Sequence, residues 1–182
     1  MSRIPTPATT SDAPAASQAL LDGVQKSLGS VPNLFRIIAN SPSALEGYLG
    51  LNGALGKGRL APATRERIAL AVAEINGCEY CLAAHTYLGT NVAKLTSAEI
   101  AANRKGGSTD AKADAAVRFA AEIARKRGRL DNHAVDRVRT AGYSDAEIVE
   151  IIVHVALNTL TNYVNEILDT DIDFPAAATL AA

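Results

Sequence analysis

"LAPATRERIALAVAEINGCEYCLAAHTYLG", residues 60–89, reads as two helices separated by a stop. Pro62 suits a helix start, where its missing N–H would have no partner anyway. Asn76-Gly77 is a stop signal, because glycine enters the left-handed conformation that ends many helices. A second helix then begins at Cys78 and runs to Leu88-Gly89.

The remaining punctuation is also helical. Ser41 and Pro42 open a helix that Gly56 and Gly58 close. Thr96 with Glu99, and Ser144 with Glu147, have the spacing of capping boxes. Residues 109–129 carry Val117, Ala120, Ala121 and Ala124 on one side, and their basic end, Arg125-Lys126-Arg127, suits a helix C-terminus. Asp131 is placed to cap a short helix ending at Gly142. From Ser144 onward, Ile148, Ile151, Ile152, Val155, Thr159, Tyr163 and Ile167 follow at helical spacing. No alternating strand pattern interrupts them, so the fold class expected is all-α, a single-domain helical bundle.

Composition agrees. Of the 182 residues, 48% are hydrophobic, only 4% are aromatic, and there is no Trp. An alanine-rich apolar fraction favours closely packed helices over sheets. A net charge of −1 gives no reason to expect nucleic acid or an anionic membrane as partner. Residues 1–17 are rich in Pro, Ser, Thr and Ala without a continuous apolar run, and are expected as a flexible arm before a domain at 18–182. No stretch approaches the ~20 apolar residues of a membrane span. Two cysteines are too few for a disulfide scaffold, so a cytoplasmic location is expected, where a cysteine pair is usually catalytic, redox-active or metal-binding.

Both cysteines lie in C-x-x-C-x-x-x-H, with Cys78, Cys81 and His85 expected on one face and Cys78 in the first turn. Such spacing permits a disulfide, and a helix start favours thiolate over thiol. If the two helices fold back antiparallel, Glu66 and His85 stand level, each roughly 14 Å from the turn. Glu66 then orients His85, whose other ring nitrogen faces Cys81: a nucleophile, a base and an orienting carboxylate. Duller readings stand beside each residue. Glu66 is flanked by Arg65 and Arg67 and can be simply solvated; Glu74 is a rival carboxylate if the helix runs on through Gly77. Zinc is the competing use of the cysteines, but structural zinc usually takes four ligands, and His133 or His154 would have to be recruited. His154 falls on a stripe with Glu147, Glu150, Asn158, Thr161 and Asn165, read as solvent-facing or as an interface.

The segment "RERIALAVAEINGCEYCLAAH" resembles the core of the alkylhydroperoxidase D-like proteins, within the carboxymuconolactone decarboxylase superfamily. That family's pattern is a glutamate, eleven residues, then C-x-x-C-x-x-x-H, which Glu66, Cys78, Cys81 and His85 fit. "VPNLFRIIANSPSAL" and "LTNYVNEILDTDIDFP" extend the likeness over about residues 28–175, toward the branch of uncharacterised peroxidase-related enzymes. The resemblance implies a helical fold in trimers or hexamers and hydroperoxide reduction without metal, haem or flavin cofactor. It implies that Cys81 attacks the peroxide while Glu66 and His85 relay the proton. Its sulfenic acid would then condense with Cys78, and an external dithiol or redox protein would restore the thiols. Tyr80 departs from the pattern, standing where alkylhydroperoxidase D itself has histidine; as an accessory residue it is a far weaker base that still donates a hydrogen bond. The alternatives are a thiol–disulfide oxidoreductase, an interaction module using the pair as a redox or zinc switch, and a lactone-decarboxylating lyase, against which the cysteine pair argues.

Overall fold

The computed structural model describes residues 2–180; Met1, Ala181 and Ala182, included in the expected arm and domain, lie outside them. The described chain is helical throughout. A 3-10 turn at Thr10–Asp12 precedes α1 (Ala15–Leu28), α2 (Asn33–Ile38), α3 (Pro42–Gly56), α4 (Pro62–Asn76), α5 (Glu79–Asn91), α6 (Ser97–Arg104), α7 (Ala111–Lys126), α8 (Ala134–Thr140) and α9 (Asp145–Leu168). None of these helices is long and apolar enough to cross a membrane.

At the centre is α4, packed on α5, α6, α7 and α9. Residues Ile68 to Ala73 are all buried, and alternate alanines let neighbouring backbones approach closely. One core joins Ile68 and Val72 to Ala116, Phe119 and Ala120 of α7 and to Ile148, Ile151 and Val155 of α9. A second joins Leu21, Ile37 and Leu45 of α1, α2 and α3 to the last turns of α9 through Val164 and Leu168. A third gathers the cysteine hairpin under Leu34, Phe174 and Ala177.

The capping signals differ in outcome. Ser144 and Glu147 close a full reciprocal box. Thr96 accepts from the Glu99 N–H, but the Glu99 side chain turns away into the protein, where Arg67, Asn103, Ser108 and Thr109 engage it. Asp131 accepts from the His133 N–H just before α8.

The boundary expected between residues 17 and 18 falls inside α1, whose Ser17 is buried and bonded to the Ala39 carbonyl. Ahead of it the chain lies along the bundle: the Arg3 N–H donates to the Leu168 carbonyl, Arg36 grips the Ala8 carbonyl, and Ala13 is buried.

Helix α9 departs most from expectation. Ile148, Ile151 and Val155 face inward, but Ile152, Tyr163 and Ile167 are exposed, at 42%, 55% and 63%. The stripe read as outward-facing is buried instead at His154, Asn158, Thr161 and Asn165, with Asn162 beside it. The reason is the neighbour: the first half of α9 lies on one apolar core, whereas in the second half Val164 and Leu168 pack on another while Asn165 turns to the cysteine hairpin and donates to Cys81.

Candidate active site

The corner between α4 and α5 is two residues long, Gly77 and Cys78. Gly77 takes the left-handed conformation (φ 70°). Its N–H reaches the Glu74 carbonyl, and the Cys78 N–H reaches that of Ala73, the paired bonds of a Schellman stop. Cys78 therefore closes α4 and at once caps α5, with its Sγ accepting the Cys81 N–H at 3.3 Å. This corrects its expected place in the first turn: it is the N-cap, and Glu79 is the first helical residue. The Cα atoms of Cys78 and Cys81 are 5.3 Å apart, within disulfide range, and the sulfurs are paired. Both residues are buried.

Folding back at this corner brings Glu66 beside His85, with Oε2 and Nδ1 separated by 2.8 Å. Each side chain remains about one-fifth exposed, at 22% and 21%. Glu66 is thus held rather than freely solvated between its arginines. Glu74, the rival carboxylate, is engaged by Arg104 Nε at 2.6 Å. His85 lies one helical turn beyond Cys81, and its Nδ1 is the ring nitrogen engaged by Glu66, leaving Nε2 for other chemistry.

The Tyr80 hydroxyl points away from this pair. It donates to Asp173 Oδ1 at 2.7 Å and accepts the Leu34 N–H at 3.1 Å, while its ring meets Phe174 edge-on. Burial, with the Asp173 carboxylate adding to it, pushes its hydroxyl well above the ordinary tyrosine range despite the opposing Leu34 bond. Tyr80 stays protonated and anchors the segment after α9. That segment runs over the corner, where Phe174 also packs on Tyr87 and Arg104 holds the Ala178 carbonyl.

Sequence reading missed the inward amides of α9. Asn165 Nδ2 donates to Cys81 Sγ at 3.2 Å, and Asn76 Nδ2 donates to Asn162 Oδ1 at 2.8 Å. A usable signal was present: between Glu150 and Glu166 the polar positions are Asn, Thr, Tyr and His, with no Lys, Arg, Asp or Glu to mark a solvated face. His154 is buried with Nε2 unpartnered. Burial foremost, then the Arg65 charge, lowers its pKa to about 4 against the opposing charges of Glu150 and Glu66, so it is neutral. His133 lies on the exposed flank of α8 against Asp136. Among the described residues, no three His, Cys, Asp or Glu side chains are grouped to hold a metal ion.

The model of the carboxymuconolactone decarboxylase family matches residues 42–126, a span holding Glu66, both cysteines and His85. That match spans a little under half of the chain. No curated protein sequence matches it. Among solved structures, it is similar to the alkylhydroperoxidase AhpD core of an uncharacterized peroxidase-related protein from Ralstonia eutropha, with a TM-score of 0.83 and 24% identity over 94% of this chain and 92% of that one. A peroxidase-related protein from Silicibacter gives 0.81 at 24% identity, over 93% and 91%. The debrominase Bmp8 gives 0.76 at 23% identity, over 92% and 91%. At such identities the likeness is one of fold, shared with proteins described as peroxidase-related and with a debrominase.

Proposed function

We propose that this chain is a thiol-dependent hydroperoxide reductase of the carboxymuconolactone decarboxylase superfamily, whose model matches the segment holding Glu66, both cysteines and His85. The observation that carries the reading is the Glu66–His85 hydrogen bond, formed one helical turn from a paired C-x-x-C. In the reduced protein, His85 Nε2 takes the Cys81 proton, and Glu66 stabilises the imidazolium through Nδ1. The Cys81 thiolate attacks the terminal oxygen of a hydroperoxide. The O–O bond breaks, an S–O bond forms, and His85 returns the proton to the departing alkoxide, giving an alcohol and a sulfenic acid at Cys81. The Cys78 thiol then displaces hydroxide from that sulfur as water, forming the disulfide. Two electrons have passed from the cysteines to the peroxide. An external dithiol or redox protein supplies two more by exchange and leaves as its own disulfide.

The burial of both cysteines favours a small oxidant, and the reductant reaches them by local opening of the corner. A homo-oligomer, a trimer or hexamer, fits the exposed apolar line of Val149, Ile152, Leu160, Tyr163 and Ile167 along α9. The reading assigns the chain no nucleic-acid or membrane partner and no cofactor.

The test is peroxide consumption by single variants with a dithiol reductant. Cys81→Ser abolishes turnover. Cys78→Ser consumes one equivalent and retains a sulfenic acid that a dione probe captures. A Cys81→Ser variant with wild-type turnover overturns the assignment. If cysteine alkylation leaves a lactone-decarboxylating activity intact, the lyase reading replaces it. Stoichiometric zinc whose chelation unfolds the helices instead supports a metal clip.

A further inference from the structure

We infer that Asn165 is a further catalytic residue, its side-chain amide activating Cys81 as the attacking sulfur; this rests on the reading of Cys81 as nucleophile. The Asn165 side chain is 2% exposed, and Nδ2 spends its hydrogen bond on Cys81 Sγ at 3.2 Å. Burying an amide is costly unless good partners compensate, and the sulfur of a disulfide is a poor acceptor. A thiolate is a strong one, since hydrogen bonds to ionised groups are roughly twice as strong as neutral ones. The amide therefore suits the reduced, ionised site better than the oxidised site it is seen touching. Such a preference raises the fraction of Cys81 present as thiolate, the form that attacks.

The neighbouring amides reinforce this direction. Asn76 Nδ2 donates to Asn162 Oδ1, and Asn162 is fully buried. Asn162 Nδ2 and Asn165 Oδ1 are both buried without a partner, three positions apart on one face of α9. One is a donor and the other an acceptor. Side-chain rotation that pairs them joins Asn76, Asn162 and Asn165 into a chain whose donors all run toward Cys81, each bond polarising the next. The two cysteines are thereby unequal. Cys78 Sγ is bonded by the Cys81 backbone N–H, whereas Cys81 Sγ has a dedicated side-chain donor.

The test is the pH dependence of Cys81 alkylation by iodoacetamide in reduced Cys78→Ser protein, where only one thiol reacts. Asn165→Ala moves the midpoint upward by about one unit, a tenfold loss of thiolate at any pH below both midpoints. Asn165→Asp, which keeps the shape but sets a carboxylate against the sulfur, moves it further. Asn165→Gln recovers part of the loss, and Asn162→Ser gives a smaller rise. Each variant is compared with its parent for helicity, so that Asn165→Asp serves if Asn165→Ala does not fold. Midpoints unchanged in the folded Ala or Asp variant overturn the inference. Because alkylation involves no peroxide, a protein that ignores hydroperoxides yet shows the shift leaves Asn165 as an activator of Cys81 while the peroxidase reading falls.

Discussion

Two adjacent residues of α4, Glu66 and Arg67, open onto two different kinds of buried polar region. Arg67 reaches Glu99, whose carboxylate also receives Asn103, Ser108 and both the N–H and hydroxyl of Thr109. Burial opposes ionisation there, but the bonds from Ser108, Thr109 and Asn103 outweigh it and hold the carboxyl far below the usual glutamate range. Both oxygens are used, and Glu99 is 4% exposed. Glu66 has one partner, His85, and remains partly open to solvent. Across from it, the inward stripe of α9 leaves His154 Nε2, Asn162 Nδ2 and Asn165 Oδ1 unpartnered. The Glu99 carboxylate is saturated, as a structural charge requires, and the spare acceptor beside it, Asn103 Oδ1, belongs to a neutral amide. On the proposed reading, the spare donors and acceptors beside the cysteine pair serve a sulfur whose charge changes as it is oxidised and reduced.

That contrast predicts opposite behaviour on mutation. Glu99→Ala strands the buried side of Arg67 and several donors, and is expected to cost about 3–5 kcal/mol by denaturant titration. Activity per folded molecule should be unchanged. Glu66→Gln is expected to reverse the pattern: turnover falls about 100-fold, roughly 2.7 kcal/mol in the barrier, while stability changes by less than about 1 kcal/mol. Equal stability losses in the two variants would erase the distinction.

A smaller effect concerns His154, which faces Arg65, Glu150 and Glu66. Its pKa falls from 6.5 to about 4 on folding, so between those values the unfolded chain holds more protons. Its contribution to stability is complete above pH 6.5 and is lost as pH drops toward about 4. His154→Gln should flatten that part of the stability profile, by roughly 3 kcal/mol across the window. The Glu99 contribution begins to fall only below its ordinary 4.5, so most of the His154 window lies above it.

Much of this architecture is legible in the sequence because local physics fixes it. Pro42, Pro62, Gly77 and the Ser144–Glu147 box mark helix ends through bonds formed within a few residues. The pairing of Glu66 with His85 follows from helical rise once the corner at Gly77 is granted. What local physics does not fix is which side of α9 meets the protein. Its apolar positions continue past Val155, so periodicity alone turns Tyr163 and Ile167 inward, yet the cysteine hairpin is matched by asparagines. Tyr80 was equally opaque, since its partners Leu34 and Asp173 lie 46 and 93 positions away. Glu99 carries the spacing of a capping box, but tertiary partners outbid the local bond.

The central claim is that Cys78 and Cys81 exchange electrons with a hydroperoxide. The most direct measurement is the intact mass and free-thiol content of fully reduced protein after one equivalent of an organic hydroperoxide. The account predicts rapid loss of both thiols and a mass lower by two hydrogens, as one intramolecular disulfide forms. Persistence of both thiols under conditions that oxidise a free cysteine would contradict it.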